Sequence, residues 1–423
     1  MSGDKLYKSF FKLVGSSAFF QALAFALLPI WTGFYSQSEI GNFAMLYSFF
    51  NIFSMCILFK LDTRLVVDES YEGISYQPLS SILFLIVLLI PLISLFYFVI
   101  LRGNYNGLWF SFFLIFQTAI FASFLFNKSL LIKYKLFSLL GFYLGGKVFL
   151  AALFKLVFFP LGEKALFISE LLSLLFLLIG LVIYKNINNY KVSFKFILPK
   201  LDIYLSLKTI RENKKHTLWE TLSGFLNQLL INLPIIVIGS LYSKTDVALY
   251  WLTYQLISAP AGFISSSVSE IVFSKFTTLK MEGINLHKQL KSYLIKYIPS
   301  SIICFITVYF LVKHIVLPFM APDSWKGVET VLSYVLIWRC GAFIAHSFTK
   351  VWLVINLQFE RMLFDCFSIV SFILLTIVAK GNNIEFETYL TFLSFLFLSL
   401  YGFFLFYLLY QTQLVSTLNK CSE

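Results

Sequence analysis

The sequence predicts an all-α polytopic membrane protein, and three observations carry that prediction. Charges are too few to face water, apolar runs near twenty residues recur along the chain, and basic residues collect in alternate loops. Of 423 residues, 59% are hydrophobic and 13% charged, with 51 Phe, and the mean hydropathy is +0.83. A soluble domain carries about 25% charged residues. With half that share, a body of this size cannot cover its core with polar surface, so lipid is the solvent.

A span of the hydrocarbon layer takes about 20 mostly apolar residues. Twelve segments qualify: 10–31, 40–59, 80–101, 108–126, 137–159, 165–184, 218–241, 247–273, 293–312, 331–355, 363–379 and 386–410. The first follows a charged stretch, MSGDKLYKSFFK, with no small-residue cleavage site, so it is read as a membrane helix and not a removable signal. With a cytoplasmic N-terminus, inner loops and tails collect about 22 basic residues and outer loops about six. Both termini are therefore expected in the cytoplasm. The inner set includes Lys5, Lys8, Lys12, Lys128, Lys133, Lys135, Lys275, Lys280, Lys288 and Lys291.

The longest connection carries Lys185, Lys191, Lys195, Lys200, Lys208, Arg211, Lys214 and Lys215. It divides the chain into an N-terminal six-helix lobe (1–184), a basic cytoplasmic linker (185–217) and a C-terminal six-helix lobe (218–423). An internal repeat supports this division. A shift of 207 brings Gln21 onto Gln228, Tyr35 onto Tyr242, Ser36 onto Ser243, Glu39 onto Asp246, Ile40 onto Val247 and Tyr47 onto Tyr254. Further along, a shift of 222 aligns LIFQTAIF with LIWRCGAF and Lys128 with Lys350. An even helix count per repeat makes the halves parallel.

The net charge of +12 lies in short loops, not along a soluble face, which argues against nucleic acid. The five cysteines show no CxxC spacing and the four histidines are scattered, so no metal or other cofactor is expected. No GxSxG, Walker A or HExxH pattern occurs, and the chain is read as a non-enzyme.

Ionisable residues inside apolar segments are the informative ones, because a charge at bilayer depth costs about 2.5–3.5 kcal/mol or more and normally faces a polar cavity. Arg339, His346 and Lys350 lie within roughly 40° of one another on a continuous helix. This stripe suggests a face on a wet cavity; the alternative is that Arg339 and Lys350 snorkel to opposite interfaces. Lys147 follows Gly145–Gly146, where a helix can pack closely or bend, whereas Lys155 is expected to snorkel near the outer interface. Arg64, beside Asp62, is either a further cavity cation or a loop charge. Glu270, closing SSSVSE, is the candidate ion-coupling carboxylate, with a salt-bridge role as the alternative. Pro29, Pro234 and Pro260 interrupt helices in corresponding regions of the halves.

The run GSSAFFQALAFALLPIWTGFYSQSEIGNFAMLYSFF (15–50) resembles the opening of Wzx-type O-antigen and polysaccharide flippases. The run LPIIVIGSLYSKTDVALYWLTYQLISAPAGFISSSVSEIVFSKFTTL (233–279) resembles that family's later region. The wider multidrug/oligosaccharidyl-lipid/polysaccharide exporter superfamily also contains drug exporters. The resemblance implies two six-helix lobes around a central cavity in a bacterial inner membrane. It further implies a cargo of undecaprenyl-pyrophosphate-linked oligosaccharide, an O-antigen, lipopolysaccharide or capsule repeat unit, turned from the cytoplasmic to the periplasmic leaflet. Alternating access driven by protons or sodium is expected, with membrane lipids and polysaccharide polymerase machinery as partners. Lys147, Arg339, His346, Lys350 and Arg64 then suit a pyrophosphate, which needs charge-assisted donors. A multidrug exporter is the alternative within the superfamily; a membrane-bound polysaccharide polymerase or acyltransferase is the alternative from another class.

Overall fold

The computed structural model describes residues 3–54, 107–188 apart from 135, 211, and 214–421 apart from 321–324, 326 and 356. The helices are α1 (Gly3–Thr32), α2 (Gln37–Ser54), α3 (Gly107–Lys133), α4 (Phe137–Val157), α5 (Glu163–Asn188) and α6 (Lys214–Leu241). They continue with α7 (Lys244–Met281), α8 (Leu286–Leu311), α9 (Val328–Phe348), α10 (Gln358–Gly381) and α11 (Phe386–Cys421). No strand occurs among the described residues. Among the described residues, seven helices are long and apolar enough to cross a membrane. The predicted third segment, Arg64 and most of the basic linker lie outside the described residues.

The outward faces are apolar, as lipid requires. On α10, Phe367, Val370, Leu374, Ile377 and Val378 recur at helical spacing and are all more than half or nearly half exposed. In water such a stripe would be a liability; against acyl chains it costs nothing.

The turns follow local chemistry. Ser243 caps α7 with a capping box: its side chain accepts from the Asp246 N–H, and Asp246 accepts from the Ser243 backbone. Ser36 and Glu39 make the same reciprocal pair at the start of α2. These are the residues that the 207-position shift superimposes. Each turn is preceded by a tyrosine that makes a bond of one type: Tyr35 donates to the Lys155 carbonyl at 2.6 Å, and Tyr242 to the Ile384 carbonyl at 2.8 Å. Helix α7 runs well past its expected end and carries Lys275 and Lys280 within it. It runs on through Pro260, which does not interrupt it, and no further proline follows before Gly283, whose φ of 68° ends it. There the Ile284 N–H reaches back to the Leu279 carbonyl at 2.9 Å, a left-handed C-terminal cap.

By contact the chain divides into two units, Met1–Tyr35 with Asn42–Ile236, and Ser36–Gly41 with Val237–Glu423. In the first, α1 lies along α4, and α4 and α3 pack on α5. Gly145 permits the α1–α4 approach: a Cβ there would stand 2.9 Å from the Ser17 carbonyl oxygen and 3.1 Å from its Cα. The core between α3, α4 and α5 centres on Phe124, stacked on Tyr143 at 4.4 Å, with Leu131, Leu174 and Leu178. In the second unit α9 is central, packed by α7, α8 and α11.

Candidate functional site: two buried charge clusters

The first cluster forms where α2, α4 and α5 meet. Lys147 and Lys155 stand two turns apart on α4, and Glu170 of α5 reaches both. Lys155 Nζ donates to Glu170 Oε1 at 2.9 Å, and Lys147 Nζ lies 3.6 Å from Oε2. The Tyr47 hydroxyl of α2 donates to Oε2 at 3.1 Å and accepts from Lys147 at 3.4 Å. Lys155 is closed in by the faces of Trp31 at 4.9 Å and Phe43 at 5.1 Å, while Lys147 lies over Phe121 at 5.8 Å. The side chains of Lys155 and Glu170 are 8% and 9% exposed, against 20% for Lys147. The expectation that Lys155 snorkels is therefore corrected. Its chain turns inward because a buried carboxylate and two aromatic faces compensate its charge better than a reach to the interface.

The second cluster is built around α9. Arg339 is buried, with its guanidinium over Tyr254 of α7 at 4.8 Å and over its neighbour Trp338 at 5.2 Å. Its Nε has no hydrogen-bond partner, and among the described residues no carboxylate lies within ion-pair distance. Aromatic faces compensate a cation in part, by about 2 kcal/mol when desolvated, and leave its charge available to an anion.

Arg339 and Lys350 both lie toward α7, since Lys350 Nζ is over Phe273 at 5.5 Å. His346 instead faces Tyr401 of α11 at 5.9 Å between rings. The single stripe expected over the tenth segment is thus divided. Helix α9 ends at Phe348, and Lys350 opens a separate short turn, Val351–Val354. The Glu270 backbone belongs to α7, but its side chain is outside the described residues.

The sequence reading missed the pairing of Lys155 with Glu170, and it missed Asp365. Glu170 and Lys155 are joined only by tertiary contact, fifteen residues apart on different helices. Asp365, on α10, is 5% exposed and its Oδ2 has no hydrogen-bond partner. It sits one turn beyond Arg361 on the same helix. The signal that would have found Asp365 was available, since it is a carboxylate inside a predicted span.

Comparison with known proteins places these clusters in context. No curated protein matches the chain in sequence. Among solved structures, a multidrug resistance MATE family transporter of the MOP superfamily in an inward-facing conformation superimposes with a TM-score of 0.62. It is 11% identical over 95% of this chain and 96% of its own. A eukaryotic MATE transporter, AtDTX14, superimposes with a TM-score of 0.52 at 13% identity, over 96% of this chain and 95% of its own. The fold is therefore that of the MATE transporters, as the Wzx-type resemblance implied. A sequence profile for "polysaccharide biosynthesis protein" matches residues 30–330. That match spans the capped repeat turns, Tyr47, Lys147, Lys155, Glu170 and Tyr254, and the chain belongs to the polysaccharide biosynthesis protein family.

Proposed function

We propose that this chain is a non-enzymatic flippase that carries a polyprenyl-pyrophosphate-linked oligosaccharide from the cytoplasmic to the outer leaflet of a bacterial inner membrane. Arg339 is the observation that carries the reading. A guanidinium inside a membrane helix, stacked on two aromatic rings and without a carboxylate partner among the described residues, is suited to a phosphate-bearing cargo. Its planar donors match phosphate oxygens two at a time. Family membership points the same way, toward a sugar polymer pathway. In this reading Arg339 grips the headgroup, and alternating access driven by an ion gradient moves the load. O-antigen or capsule repeat units are the proposed cargo class.

The test is export in a host whose own flippase gene is deleted. Arg339→Ala is expected to leave the protein in the membrane while reducing surface polysaccharide at least ten-fold, about 1.4 kcal/mol of lost cargo stabilisation. Arg339→Lys should restore only part, because an ammonium keeps the charge but loses the planar fork. If Arg339→Ala combined with Lys147→Ala and Lys350→Ala exports normally, the cationic mechanism is wrong. The structural neighbour that is a multidrug transporter motivates a second arm. Drug resistance conferred on a sensitive host, without polysaccharide export, would replace the flippase reading.

A further inference from the structure

We infer that Glu170 is a displaceable counter-ion, which neutralises Lys147 in the empty protein and releases it to a phosphate group of the cargo while remaining bound to Lys155. This rests on the proposed function only in the source of the phosphate. The cluster holds two lysines and one carboxylate, so one positive charge is in excess. The sharing is unequal. Lys155 has the 2.9 Å bond to Oε1 and is enclosed by Trp31 and Phe43. Lys147 has a 3.6 Å contact to Oε2, a 3.4 Å bond to the Tyr47 hydroxyl, and more than twice the exposure of Lys155. Lys155–Glu170 is thus the fixed pair and Lys147 the loose partner.

Charge-assisted N–H···O bonds to phosphate shorten to about 2.7–2.9 Å. A phosphate oxygen brought beside Lys147 therefore outcompetes a carboxylate oxygen at 3.6 Å. Glu170 is not stranded when Lys147 leaves, because Lys155 and the Tyr47 hydroxyl still satisfy one oxygen each. An uncharged sugar offers Lys147 no such exchange, so the arrangement selects for the anionic headgroup. Glu170 acts here as a positioning and specificity residue that sets how firmly Lys147 is held.

The signs of the variants separate this role from a merely structural one. Binding of farnesyl pyrophosphate and of inorganic pyrophosphate to the full-length purified protein is measured by calorimetry in lipid nanodiscs. Glu170→Gln should tighten binding about ten-fold by freeing Lys147, and Lys155→Met should weaken it by a similar factor by leaving Glu170 wholly to Lys147. Lys147→Met should abolish the effect of both. Glu170→Gln strands Lys155 and can lower the yield of folded protein, so the double variant Glu170→Gln/Lys155→Met, which removes the fixed pair together, carries the same prediction of tighter binding. Weaker binding in that folded double variant, or tighter binding in Lys155→Met, overturns the inference. Tighter binding of the farnesyl form assigns the site to a lipid headgroup, and equal binding of both assigns it to free anions; the exchange holds in either case. If this order appears in a protein that exports no polysaccharide, the flippase reading fails and the counter-ion role stands. Export without the order has the opposite meaning.

Discussion

Replacing Gly145 with alanine tests the packing that holds the first cluster together. The added Cβ would sit 2.9 Å from the Ser17 carbonyl oxygen, 2.9 Å from Phe20 Cβ and 3.1 Å from Ser17 Cα. Two of these are backbone atoms of α1, so no side-chain rotation relieves the contact and α1 must move off α4. Overpacking of this kind costs about 1–3 kcal/mol. The helical preference of alanine over glycine returns about 0.8–1.0 kcal/mol, which leaves a net loss of roughly 0–2 kcal/mol. In a membrane this matters more than the figure suggests, because helix association there depends on close van der Waals contact and not on hydrophobic burial. Two neighbours serve as controls. At Gly146 a Cβ meets only the flexible end of Leu177 at 3.2 Å, and at Gly180 it meets nothing within 4 Å. The thermal midpoint of detergent-purified protein should therefore fall in the order Gly180→Ala, Gly146→Ala, Gly145→Ala, and Gly145→Leu should fall further. A Gly145→Ala midpoint equal to that of Gly180→Ala would refute the close α1–α4 approach.

Two further outcomes follow from the repeated turns. Ser243→Ala and Ser36→Ala each remove one side of a capping box and should each cost about 0.5–2 kcal/mol, read as similar drops in the same thermal midpoint. Tyr35→Phe and Tyr242→Phe each delete a single tyrosine-to-carbonyl bond, worth about 0.5–1.5 kcal/mol. Amide hydrogen exchange should accelerate near Lys155 in the first variant and near Ile384 in the second.

What the sequence showed and what it hid divide along the range of the interactions. Capping boxes, the Gly145–Gly146 pair and the segment pattern are local, and each left a trace in neighbouring residues. Helix α7 overran its expected limit because a hydropathy window stops where lysines begin, whereas a helix stops where its backbone is broken, here at Gly283. The inward turn of Lys155 had no local trace at all. On α4 it looks like any lysine near a helix end, and only Glu170 from α5 makes its burial affordable. Lys350 stays with Arg339 toward α7, as the spacing expects, whereas His346 turns to Tyr401 of α11, a choice set by packing between helices and not by spacing.

The repeat expected from the sequence sets differently charged positions of the two units opposite each other. The 222-position shift that aligns LIFQTAIF with LIWRCGAF sets Gln117 opposite Arg339. Gln117 is fully buried on α3, and neither its Oε1 nor its Nε2 has a hydrogen-bond partner. The position is thus polar and buried in both units, but neutral in one and cationic in the other. In the unit with the glutamine, the cation comes from the next helix: Lys147 on α4, lying over Phe121 one turn beyond Gln117. The tyrosines that attend the charges are the repeat pair Tyr47 and Tyr254. Among the described residues Lys147 has a carboxylate within reach and Arg339 has none.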